Sequence, residues 1–231
     1  MGMDSFKILG IVGDRLKYLA NSYIGISKHV DEADFFFQKF VLSREFIGYF
    51  SEHVIGQGIT LNKNSAKDAS RALKQAAAEL FSTSSQINDV LKKRNDDPRI
   101  YLALVQRLEK VRKDHLILAM AIIYSVSNGF RSLLNFSKQL EMQKKELPIL
   151  RGKVTKGASS KNELQSKEAI LKDLEENNIL FESALKGLKR DRGALSTIQS
   201  SLFGDLLTLE THCDEQLGFA INSLKGLAKK V

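Results

Sequence analysis

Residues 162–228 read NELQSKEAILKDLEENNILFESALKGLKRDRGALSTIQSSLFGDLLTLETHCDEQLGFAINSLKGLA, and this stretch decides the fold class. Leu164, Leu171, Leu174, Phe181, Leu185, Leu188, Leu195, Leu202, Leu206, Leu209, Cys213, Ala220, Leu224 and Leu227 recur at a spacing near 3.5, the period of a coiled-coil seam. Lys167, Asn178 and Arg192 fall on the same seam. No proline interrupts it, so the pattern predicts one long helix.

The same rhythm runs backwards through the chain. Asp97 followed by Pro98 predicts a helix start, because the carboxylate can cap free N–H groups and proline at the first helical position loses no internal hydrogen bond. From there Leu104, Leu108, Val111, Leu118, Ile122, Gly129, Leu133, Phe136 and Leu140 mark an apolar stripe up to Pro148 and Gly152. A shorter helix is expected from residues 62–65 through Leu73, Leu80, Ile87 and Leu91, ending in the polar run 92–97. A phenylalanine-rich helix is expected from Asp31 through Phe36, Phe40, Ile47, Phe50 and Val54, broken at Gly56 and Gly58.

At the N-terminus Phe6, Leu9, Val12, Leu16, Leu19 and Tyr23 alternate with Lys7, Asp14, Arg15, Lys17 and Asn21, which makes an amphipathic helix. Two seats fit it: packing of the apolar stripe on the protein, or a membrane surface engaged through Phe6, Lys7 and Leu9. The chain is read as this helix, 1–28, followed by a helical domain, 29–231. The expected architecture is all-α, with long kinked antiparallel helices forming an elongated coiled-coil bundle whose loop, 152–161, lies at a tip. Apolar residues near the middle, among them Phe36, Phe37, Phe40, Ile117, Ile122 and Ile123, would need a partner, most simply a second copy.

Thirty-five Lys and Arg against 27 Asp and Glu give +8, which favours an anionic partner. The excess concentrates near the expected tip, in Lys144, Lys145, Arg151, Lys153, Lys156 and Lys161 against Glu146. Arg131 and Lys138 extend the charge along the preceding helix, and Arg107, Lys110, Arg112 and Lys113 lie further back. Lysines held near anionic lipid contribute about 1 kcal/mol each, so an anionic phospholipid membrane is the expected partner. Nucleic acid fits the charge but not the pattern: no nucleic-acid motif is present and the aromatics sit on apolar stripes, so nucleic acid is not expected.

Catalytic chemistry has no candidate residues. No phosphate-binding loop, GxGxxG or GxSxG occurs, and His29, His53, His115 and His212 lack the i, i+4 pairing of a helical zinc site. Neither cofactor nor metal is expected, and His115 reads as a core histidine. The single Cys213 excludes an intrachain disulfide and suits a reducing compartment. The most apolar run, 116–126, is shorter than a bilayer span, so a cytoplasmic protein, peripheral on membranes, is expected.

Two segments resemble a known family. Residues 122–156, IIYSVSNGFRSLLNFSKQLEMQKKELPILRGKVTK, are similar to the second helix and tip of BAR domains, and 200–227, SSLFGDLLTLETHCDEQLGFAINSLKGL, to their closing helix. The resemblance spans roughly residues 30 to 230. It implies a crescent-shaped homodimer, without enzymatic activity, that binds anionic membranes through a concave face and tips and senses or generates curvature, as in membrane trafficking and endocytosis. Lys144, Lys145, Arg151, Lys153 and Lys156 fall at tip-like positions. The alternative function is a coiled-coil scaffold or adaptor for protein partners.

Overall fold

A computed structural model describes residues 5–41, 62–94, 97–155 and 161–229. These form an all-α protein, with no strand among the described residues. The helices are α1 (Ser5–Phe36), α2 (Ser65–Lys93), α3 (Pro98–Val111), α4 (Ile117–Thr155), α5 (Lys161–Thr211) and α6 (Leu217–Ala228). Three π-helical turns, Phe37–Val41, Arg112–Leu116 and His212–Gln216, follow α1, α3 and α5 without a break in the helical path. Three long kinked helical stretches therefore make up most of the chain.

The chain divides into two compact units, one of Met1–Asp34, Leu61–Val126 and Ser200–Val231, the other of Phe35–Thr60 and Ser127–Gln199. In the first unit four helical segments pack antiparallel, each against its sequence neighbour. Ser84 Oγ on α2 donates to the Gly13 carbonyl on α1 at 2.9 Å, and Ser70 Oγ donates to the Ser27 carbonyl at 3.3 Å. Arg107 on α3 pairs with Glu79 on α2 at 2.9 Å, and Lys225 on α6 with Glu109 on α3 at 2.7 Å. Arg15 of α1 closes the circuit, with its guanidinium 4.0 Å from the ring centre of Phe219 on α6.

The contact of α1 with α2 is built from small residues. Gly13, Ala20 and Ser27 recur every seven positions on α1, all buried, and Ser70, Ala77 and Ser84, also buried, recur every seven on the facing helix α2. Small side chains let two backbones approach closely, and the two serine hydroxyls then reach across to carbonyls of the facing helix. Larger residues flank this line: Leu9, Val12, Leu16, Leu19 and Tyr23 are fully buried. The amphipathic stripe of α1 thus forms core.

Several sequence expectations are met. Asp97 caps α3 by accepting from the Arg99 N–H at 2.9 Å, with Pro98 at the first helical position. Helix α2 begins at Ser65, and Leu195, Leu202, Leu206, Leu209, Cys213, Ala220, Leu224 and Leu227 of the terminal seam are buried. The seam positions Lys167 and Arg192 instead reach Glu146 and Glu141, at 2.8 and 3.1 Å.

Others are corrected. No new helix begins at Asp31, since α1 runs unbroken from Ser5 to Phe36 and crosses residue 28 without interruption; the expected continuation from residue 42 through Val54 lies outside the described residues. Pro148 and Gly152 do not end α4, which continues to Thr155, and residues 156–160 of the expected loop lie outside the description. Leu118 is 48% exposed and Leu116 takes the core position. The π turn explains this: buried positions step by three or four along α3, then by five from Val111 to Leu116, and the wider turn absorbs the extra residue.

The expected open apolar patch is also largely closed, with Phe37, Ile122 and Ile123 buried and the Phe37 ring edge-on to Phe130 at 6.5 Å. Ile117 does remain exposed. The helical path Pro98–Asn135 is long and apolar enough to cross a membrane, contrary to the reading of 116–126 alone, but 56% of its most apolar window is buried inside the protein. A core helix has that property equally.

Candidate functional site

Helix α4 carries the charge that composition singles out, and its geometry sorts that charge by face. Seven residues of α-helix return to within about 20° of the same direction, so Arg131, Lys138 and Lys145 share one side. Asn135, Met142, Ile149 and Lys153 fall on that side as well, and all seven are exposed. Together they form a stripe over roughly 33 Å of helix path. Arg131, Lys138, Lys145 and Lys153 form no ion pair among the described residues.

The acids of α4 turn elsewhere. Glu141 accepts from Arg192 at 3.1 Å and Glu146 from Lys167 at 2.8 Å, both on α5. Arg151 does not belong to the stripe, because its guanidinium binds Glu168 at 2.9 Å. Hence a helix with acids in its sequence presents a face without them.

Of the other predicted site residues, the side chains of Lys144 and Lys161 and the whole of Lys156 lie outside the described residues. Lys7 is exposed and Phe6 half-buried, whereas Leu9 is fully buried in the first unit and unavailable to a bilayer in this fold. Arg107 and Arg112 are held by Glu79 and Asp214, each at 2.9 Å. Met142 and Ile149 escape sequence reasoning. The signal for them is the seven-residue interval itself, which becomes visible once α4 is carried through Pro148.

One buried polar cluster lies in the first unit. His212, in its π turn, is 6% exposed and its Nδ1 has no hydrogen-bond partner among the described residues; the Tyr23 ring lies 6.1 Å away, centre to centre, with its hydroxyl likewise unpartnered among them. The Tyr18 ring meets the imidazole edge-on at 5.7 Å. Burial lowers the pKa of His212 below the ordinary imidazole value and raises that of Tyr23, with the neighbouring Cys213 adding to the latter. The core histidine is thus His212, while His115 is only half-buried. No group of three potential metal ligands occurs among the described residues.

No protein-family model, characterised protein or solved structure matches this chain. What the fold and the stripe define is therefore a class, an all-helical protein presenting a cationic helix face.

Proposed function

We propose that this chain is a non-enzymatic protein of the cytoplasm that binds anionic phospholipid membranes peripherally, with the α4 stripe as its contact face. We further propose a BAR-like crescent homodimer that senses or generates curvature. The observation that carries the reading is the stripe: four exposed cations in line, with the nearby acids engaged by α5. An anionic surface gains from each cation without displacing an internal partner.

Cosedimentation with phosphatidylserine vesicles of two diameters, at low and high salt, tests the reading, with solution mass determined alongside. Binding should fall steeply with ionic strength, and Lys138→Glu with Lys145→Glu should weaken it by more than about thirtyfold, because losing each lysine costs about 1 kcal/mol and each new carboxylate adds repulsion. Unchanged binding by that variant would reject the stripe. Preference for small vesicles by a dimer would support the curvature reading, and a monomer would remove the crescent.

A second reading, a scaffold for protein partners, is favoured by Phe203 and Leu207 on α5, each about half exposed. Docking there should respond little to salt, which separates the two.

A further inference from the structure

The stripe carries more than charge. Ile149 is 62% and Met142 49% exposed, and they lie seven residues apart in the line of the cations, flanked by Lys138, Lys145 and Lys153. Single exposed apolar residues are ordinary, but two on the midline of a cationic row reproduce the arrangement of an interfacial helix. There the aliphatic groups dip beneath the phosphates while lysine stems extend along the apolar boundary and hold their ammonium groups at phosphate level.

Other occupants fit less well. A second copy packed two-fold about Met142 would set Arg131 against Lys153 and Lys138 close to Lys145, so like charges would meet along the contact. A nucleic-acid backbone would bind the cations but leave Met142 and Ile149 without a complement. An anionic bilayer satisfies both halves of the pattern.

Resting on the membrane reading above, we infer that the face takes an anionic bilayer with gaps between its headgroups, into which Met142 and Ile149 insert. Unsaturated chains or tight curvature supply such gaps. The charges bring the protein to the surface and the two apolar residues select the kind of surface.

The test compares the full chain with Met142→Ser/Ile149→Ser and with Lys138→Glu/Lys145→Glu on phosphatidylserine–phosphatidylcholine vesicles having dioleoyl or dipalmitoyl chains. The serine variant should bind dioleoyl vesicles about tenfold more weakly than the parent, and the parent's preference for dioleoyl over dipalmitoyl vesicles should be absent in that variant. Both positions are exposed, so helicity by circular dichroism should be unchanged. If the serine variant matches the parent on dioleoyl vesicles while charge reversal abolishes binding, insertion is refuted and the membrane reading stands. If the parent ignores all vesicles, both fall; if it self-associates without lipid and the serine variant does not, the face is an interface between copies and the inference is overturned.

Discussion

Replacing Gly10 and Gly13 by alanine, one at a time, distinguishes the two seats open to the N-terminal helix. Glycine inside a helix costs about 1 kcal/mol relative to alanine, so either substitution recovers roughly that amount if nothing obstructs the new methyl. At Gly10 a Cβ would meet nothing within 4 Å, and Gly10→Ala should stabilise by about 0.5–1 kcal/mol. At Gly13 the Cβ would lie 3.3 Å from Ile87 Cγ2 and 3.7 Å from Ser84 Oγ. Ile87 is fully buried and β-branched, which fixes its rotamer in a helix, and the 2.9 Å bond from Ser84 Oγ to the Gly13 carbonyl ties the helices at this separation. Overpacking of this kind costs about 1–3 kcal/mol and outweighs the propensity gain, so Gly13→Ala should destabilise by up to about 2 kcal/mol. Urea denaturation followed by circular dichroism, with slopes compared to exclude a change in the unfolded state, measures both. Equal stabilisation by the two variants would refute the packing of α1 on α2 and return the Leu9, Val12 and Leu16 stripe to a membrane role.

Acidification should weaken the first unit through His212. Its pKa is lowered by burial, so the neutral imidazole stabilises the fold at pH values above the unfolded value near 6.5, and that contribution is lost as pH falls below it. The unfolding midpoint should drop between about pH 7.5 and 5.5, and His212→Phe should flatten the dependence; an unchanged slope would show that another group is responsible. On α5, Leu209→Ala should cost roughly 2–5 kcal/mol because its side chain is fully buried, while Leu207→Ala, at a half-exposed position two residues earlier, should cost less than about 1 kcal/mol in thermal or chemical unfolding.

How far the sequence could be read depended on whether a feature leaves a local mark. Asp97 and Pro98 leave one, since a cap and a first-turn proline act within a few residues, and α3 begins there. The leucine seam of α5 and α6 leaves one through its period. A π turn leaves none: residues 112–116 have ordinary helical composition and shift the phase, which is why the periodicity points to Leu118 where the core takes Leu116. Gly13 taken alone reads as a weakness in a helix. Only Ser84 and Ile87 of α2, more than 70 residues away, make it a contact point. Pro148 and Gly152 read as stops because their helix penalties are local, and they hid the continuity that brings Ile149 and Lys153 onto one face with Arg131.

The arrangement of charge on α4 argues against a merely solvating role. A helix face kept soluble gains most from opposite charges three or four residues apart, each pair adding a few tenths of a kcal/mol. Glu141 is well placed for this, three residues from Lys138 and four from Lys145, yet its carboxylate goes to Arg192, and that of Glu146 goes to Lys167. The internal pairs tie α4 to α5 and leave like charges aligned on the open side, interleaved with Met142 and Ile149. Neither the repulsion nor the exposed aliphatic surface stabilises the free protein. Both become favourable against a surface that is anionic outside and apolar beneath, and this asymmetry is the physical ground for the bilayer contact we propose.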